Sequence, residues 1–463
     1  MLDTDYYKFL IKIIIVFYIV IPISKVIDVK IDKVPEIDNN LELVRYSSKI
    51  NTFKEVDVFL TNKIPKDELS KYNFALTVRK YFPNVFPKKE IPLHNQYEVE
   101  EVYKSFFEID VLPKALFNKD LLDESVCIQE GAFFNNLERE GDYYVIDSLH
   151  MDKYKYKPGQ LKPLMKAYFK FENEILKIDH IYYNNAIYYP KDMGFILAKR
   201  VMYNYLLIKT ILQVHLVTTH LKITSICAYS IRKFMSSKNK MKQFLWNFTV
   251  GVHGINLNTG SLIAKEPRGT IDYFMPFESD GLIDYINDSV KTDCSSYIFP
   301  KEQMYPCDIS SESKKIYDIY KKYIKEILKE LNKDDMDECI KVYEYIKDNI
   351  KEYKNRYMEE VFASYVYTAS ILHIISADLF QQMVQGYDCP VSINKDGTIN
   401  KYAYVMAMIN IIYVNAPQRK LFMKLPETYD ILVRNEYNNM LNEFSNAKFE
   451  SIDIFNIDAS VQK

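Results

Sequence analysis

The chain has 463 residues, of which 48% are apolar and 26% charged, the proportions of a folded rather than a disordered protein. Sixty Lys and Arg against 62 Asp and Glu give a formal net charge of -2, which excludes a nucleic-acid or polyanion binder working by bulk positive charge. Only 11 glycines occur, with no GxGxxG or GxxxxGK[ST] run, which makes phosphate-cradling nucleotide folds poor candidates.

Residues 13–23 form an uncharged apolar run ending before Ser24. As a helix it rises about 16 Å, too little for a hydrocarbon core of about 30 Å. Its length suits a secretory h-region, so residues 1–24 are read as a signal peptide or signal anchor. That places the protein outside the cell or in an endomembrane lumen. The sequons at Asn247 and Asn287 are compatible with this route.

Residues 25–120 are punctuated by Pro35, Pro65, Pro83, Pro87, Pro92 and Pro113 and predict short helices joined by loops. Strand character follows: Tyr143–Ile146, Lys166–Phe171 and Leu176–Tyr182, with a turn at Asn173-Glu174, predict a small antiparallel sheet. From Phe195 to Phe234 neither Pro nor Gly interrupts the chain, and apolar side chains recur nearly all round. A helix of that kind is buried at the centre of a large domain. Further helical blocks are predicted over 311–331, 336–353 and 356–383. The fold class is therefore mainly α, with long central buried helices and a small sheet, and residues 25–463 form one domain.

The six cysteines, Cys127, Cys227, Cys294, Cys307, Cys339 and Cys389, contain no CxxC pair, which argues against zinc-finger or iron–sulfur ligation. The one loop short enough to suggest a bridge runs from Cys294 to Cys307. Histidines are the sharper signal. His215 and His220 sit mid-helix at a spacing of i, i+5, which in a regular α-helix separates them by about 140°. One π-turn brings such a pair onto one face, and π-turns concentrate at functional sites. His373 lies in the middle of the other buried helix. Three neutral imidazoles suit iron, zinc or copper; the alternative is three core histidines, each with a hydrogen-bond partner.

Leu197-Ala-Lys199 followed by His215-Leu-Val-Thr-Thr-His220-Leu resembles the core of the lipoxygenase family. Phe244-Leu245, Ile255-Asn256, Leu262-Ile263, Tyr297-Ile-Phe-Pro300 and Val366-Tyr-Thr-Ala-Ser-Ile-Leu-His373 continue the likeness in order, and Tyr144-Val-Ile-Asp147 precedes it. Together they cover roughly residues 140–463. The resemblance implies a lipoxygenase-like helical domain without the family's N-terminal β-sandwich. It also implies one non-haem iron held by His215, His220, His373 and the main-chain carboxylate of Lys463. The implied reaction adds O2 to a polyunsaturated fatty acid to give a hydroperoxide. Leu216, Leu221, Leu372 and Ile374, beside the ligands, would line the acyl channel, and contact with a membrane surface is implied too. No nucleic-acid partner is expected.

Several positions depart from the family pattern. The fifth ligand, normally Asn, is Ala377; the Glu four residues after the second His is Thr224; a further family His is Thr210; and Lys238-Asn239 replaces a His-Pro pair. Lys463 puts a charge where the family ends on an apolar residue. These departures support a second expectation, a catalytically inactive lipoxygenase-like protein that binds lipid or a partner.

Overall fold

The computed structural model describes residues 33–45, 56–69, 137–173, 175–257, 271, 274–301, 308–386, 391–400, 403, 407, 420–457 and 459. The leader and the terminal Lys463 therefore lie outside the described residues. Among those described, no helix is long and apolar enough to cross a membrane.

Within 25–120 the described residues contain two strands, where only short helices were expected. Leu43–Arg45 (β1) pairs antiparallel with Phe59–Thr61 (β2), and a single 3-10 turn follows at Lys66–Glu68. Three-residue strands are too short to leave a readable alternation in sequence. The larger sheet is an antiparallel meander in the order β3-β4-β5-β6-β7. Its strands are Glu138–Glu140 (β3), Tyr143–Asp147 (β4), Met165–Glu172 (β5), Ile175–Tyr183 (β6) and Ala186–Tyr188 (β7). The three predicted strands form its middle. On β5, Met165, Ala167 and Phe169 are buried while Lys166, Tyr168 and Lys170 face outward, the two-residue alternation of a half-covered sheet. Asn184 and Asn185, with φ of 51° and 59°, close β6 onto β7 in a two-residue loop. Positive φ at both central residues is the demand of a type I′ turn, which Asn meets at little cost.

The run from 195 to 234 is helical throughout, as its composition predicts, but not uniformly α. Phe195–Ile208 (α1) and Ser225–Phe234 (α2) flank a π-helical stretch, Lys209–Thr224 (π1). The expected feature was a single π-turn; π1 spans 16 residues. Threonine hydroxyls support it, since Thr219 Oγ1 donates to the Val214 carbonyl at 3.0 Å and Thr224 Oγ1 to the Thr219 carbonyl at 2.7 Å. Both reach five residues back, along the π register. Lys240–Thr249 (α3) follows, capped by Asn239, whose side chain accepts from the Lys242 amide. Beyond it come Ser279–Lys291 (α4), Ser295–Ile298 (α5), Asp308–Lys329 (α6) and Lys333–Asn349 (α7). Met358–Tyr367 (α8), Thr368–Leu372 (π2) and His373–Gly386 (α9) make the second long helix, and Ile431–Asn446 (α10) packs on α6. A second π segment was not foreseen.

Two buried ion pairs pin π1 and α2. Lys222, two residues after His220, pairs with Glu352 at 2.7 Å with both side chains nearly inaccessible. Arg232 grips Asp67 with two nitrogens at 3.1 and 2.8 Å, meets Glu68 at 2.5 Å and lies 4.4 Å from the Trp246 ring centre. The second oxygen of Glu68 accepts from the Gly254 amide at 2.7 Å, fixing the segment that carries Asn256.

One expectation needs correction, and one sequon is closed by the fold. Cys294 is a buried free thiol, so the bridge to Cys307 is not formed; Cys307 itself lies outside the described residues. The sequon asparagine Asn247 is wholly buried and donates Nδ2 to the Tyr437 hydroxyl at 2.6 Å. A glycan there is incompatible with the folded chain.

Candidate metal centre

The two central helices cross where their π segments lie, and three rings meet there. His215 and His220 come from π1, and His373 opens α9 directly after π2. Ring centres are 5.0 Å apart for His215 and His220, 4.7 Å for His215 and His373, and 4.9 Å for His220 and His373. One nitrogen from each ring lies within 4.8 Å of the others. The π register does what an α-helix cannot: it turns residues five apart onto one face.

Each π1 histidine is held from behind. His220 Nδ1 faces Asn256 Oδ1 at 3.0 Å, and Asn256 Nδ2 reaches Thr224 Oγ1 at 3.3 Å. His215 Nδ1 lies 3.1 Å from Ser376 Oγ and 3.3 Å from the His373 carbonyl. With the δ nitrogens engaged, the ε nitrogens remain as ligand atoms. Burial pushes the His220 imidazole down to about 4, against the opposing effect of its bond to Asn256. It is therefore neutral at physiological pH, the form that binds metals.

Fit can be judged on donor chemistry. Two buried imidazoles and one half-buried one, with nitrogens close enough to be bridged by bonds of about 2.1 Å after small ring movements, match a transition-metal site. Among the described residues this is the one group of three or more His, Cys, Asp or Glu side chains close enough to share an ion.

Leu216, Leu221, Leu372 and Ile374 are all buried beside the histidines. An open groove of about 810 Å³ lies elsewhere, lined by Tyr154, Tyr156, Lys157, Leu161, Tyr183 and their neighbours, and touches none of those four. Ala377 stands four residues after His373 on α9, on the same helical face, and contributes only a methyl group. Thr224 replaces the family's carboxylate with a hydroxyl bonded to Asn256. Thr210 is buried. Asn256, Ser376 and Thr224 support the rings, and spacing did not identify these roles. Asn256 is 36 positions from His220, and Ser376 is 161 from His215. Asn256 was legible only as part of the Ile255-Asn256 likeness.

No family model and no curated protein matches the chain. Solved structures do. A lipoxygenase crystallised anaerobically with arachidonate superposes at a TM-score of 0.67 with 14% identity, over 91% of this chain and 79% of its own. Coral 8R-lipoxygenase gives 0.67 and 14% over 92% and 79%. The manganese lipoxygenase of Gaeumannomyces graminis gives 0.51 and 12% over 75% and 73%. At such identities the likeness speaks for architecture, and it agrees with the ordered motifs of the sequence: the chain has a lipoxygenase-like fold, with His215, His220 and His373 gathered between its two central helices.

Proposed function

We propose that the protein is a divergent lipoxygenase-like dioxygenase, holding one non-haem iron and adding O2 to a polyunsaturated fatty acid to give a hydroperoxide. The observation that carries this reading is the convergence of three imidazoles, two of them buried, from two π-distorted helices in a lipoxygenase-like fold. A redox-active ion held there supplies one-electron chemistry for removing a hydrogen atom from a bis-allylic methylene. The chain's own residues do the rest. His215, His220 and His373 offer imidazole nitrogens, with the terminal carboxylate of Lys463 as the proposed further ligand. Leu216, Leu221, Leu372 and Ile374 keep water away and border the acyl chain. Arachidonate as a ligand of one structural neighbour supports a fatty-acid substrate. Manganese in another makes metal identity part of the test.

Ala377 favours a second reading, a non-catalytic relative that binds lipid or a partner, because a methyl group ligates nothing. Metal analysis of the purified chain with oxygen uptake on linoleate or arachidonate separates the two. About one iron per chain with uptake, both lost in His220→Ala and in His373→Ala, is the expected result. Neither iron nor uptake in wild type, with both restored by Ala377→Asn and Lys463→Ile together, establishes the second reading. Activity untouched by His373→Ala overturns the assignment of the site. We further propose that residues 1–24 direct secretion or anchoring and that the mature protein works at a membrane surface. Secreted material beginning at Met1 overturns the cleaved-leader form of this, and failure to sediment with phospholipid vesicles overturns the surface contact.

A further inference from the structure

The hydrogen bonds behind the two π1 histidines have a direction, and that direction starts at main-chain carbonyls. A carbonyl oxygen only accepts. Thr224 Oγ1 lies 2.7 Å from the Thr219 carbonyl and 3.3 Å from that of His220, so its proton points to the backbone. Its lone pairs then face Asn256, which must present the donor Nδ2, at 3.3 Å. That orientation leaves Oδ1 against His220 Nδ1 at 3.0 Å. An acceptor there demands a proton on Nδ1 and leaves the lone pair on Nε2.

The same logic runs behind His215. Ser376 Oγ donates toward the carbonyls of Leu372 at 2.8 Å and His373 at 2.9 Å. It therefore accepts from His215 Nδ1 at 3.1 Å, beside the His373 carbonyl, which also only accepts. We infer that Thr224, acting through Asn256, and Ser376 are positioning residues: hydroxyls anchored on backbone carbonyls that hold His220 and His215 as Nδ1–H tautomers, which puts the ring lone pair on Nε2, the atom that would ligate a metal. The inference rests on the metal-site reading and deepens it, since it gives a residue at a family-divergent position, Thr224, a defined role. Among the described residues the Asn256 side chain bonds only His220 and Thr224, so without the Thr224 hydroxyl none of them other than the ring itself orients the amide. A half-turn of that amide then puts Nδ2 against the ring and moves the imidazole proton to Nε2, where it blocks ligation.

The test uses the full chain, metal-free, with its seven histidines labelled with nitrogen-15 in the ring. Two-bond nitrogen–proton spectra distinguish protonated from unprotonated ring nitrogens, and His220→Gln assigns the His220 signals. Wild type is expected to show Nδ1 protonated and Nε2 bare. Thr224→Val, nearly the same shape, is expected to reverse or mix that pattern, and Thr224→Ser to restore it. Cobalt(II) titration followed by absorption is expected to weaken by about 10- to 100-fold in Thr224→Val, the usual cost of losing an outer-shell partner. Adding Asn256→Asp to Thr224→Val is expected to restore both readouts, because a carboxylate accepts at either oxygen. A wild-type His220 protonated on Nε2, or a Thr224→Val spectrum identical to wild type, overturns the inference. So does a Thr224→Val chain with the altered tautomer and unchanged cobalt affinity. A wild type with the expected tautomer response that takes up no cobalt instead overturns the metal site and leaves the positioning intact.

Discussion

Two of the described histidines, His180 and His220, sit in contrasting surroundings, and the contrast shows what makes a ring a ligand. On the outer face of the sheet, His180 stacks on Tyr168 at 4.4 Å, with Tyr143 and Tyr189 at its edges. Its Nδ1 meets the Asp179 carboxylate at 2.7 Å, and Lys170 meets the same carboxylate at 2.6 Å. Lys170 and His180 hold Asp179 below the usual carboxylate range. His220, by contrast, is buried and leans on the neutral amide of Asn256. A neutral partner in dry surroundings favours a neutral ring, because burial penalises the charged form. Neutrality, burial and two more imidazoles within reach occur together only at the centre, among the described residues.

The sharpest way to break the central setting is through its anchor. Glu352→Ala leaves the Lys222 ammonium buried without its partner and is expected to cost about 3–5 kcal/mol in denaturant unfolding, as uncompensated buried charges do. A loss under about 1 kcal/mol would mean that Lys222 finds water or another acceptor.

A pH titration comes next. The His220 pKa is depressed to about 4 in the fold, against an ordinary value near 6.5. Below 6.5 the unfolded chain takes a proton that the folded chain refuses. Stability is therefore full above about pH 6.5, falls by up to about 1.4 kcal/mol per pH unit down to about 4, and levels off below it. Other groups titrate in this window, so the measurement is the difference between wild type and His220→Gln in the metal-free chain. A difference that does not change between pH 6.5 and 4 would show that His220 is not desolvated.

The surface setting should respond far less. His180→Ala removes one stacked ring and is expected to cost about 0.5–1.5 kcal/mol while leaving metal content unchanged. Metal lost with His180 would end the contrast between the two settings. Smallest of all is Lys170→Ala, an exposed ion-pair partner, whose effect on unfolding should vanish near 1 M salt, where screening reaches about 3 Å. An effect that survives salt would point to the Lys170 ammonium over the Tyr143 ring, 5.0 Å from its centre.

Much of the architecture was legible. Forty residues without Pro or Gly, apolar all round, announce a buried helix, and that helix runs from Phe195 to Phe234. The i, i+5 histidines called for a π register, and π1 supplies it. Runs of strand-forming residues around the turn at Asn173-Glu174 revealed β4, β5 and β6, while β1, β2, β3 and β7 are three residues each and too brief to stand out. π2 was not legible, because Thr368–Leu372 contains a single histidine neighbour and no spaced pair to betray its register.

By itself the sequence determined the helical class, the small sheet, the π register between His215 and His220, and His373 as the third ring of the set. The class, the sheet and the π register are written in local spacing, which survives without any tertiary contact, whereas His373 joined the set through the ordered family resemblance. The tertiary structure alone decided that Asn256 and Ser376 stand behind the rings, that Glu352 and Glu68 anchor the helices, and that Asn247 is sealed from glycosylation. A hydrogen bond or ion pair within about 3 Å depends on where two helices cross, and residues 36, 161 or 190 positions apart carry no mark of it in their own neighbourhoods.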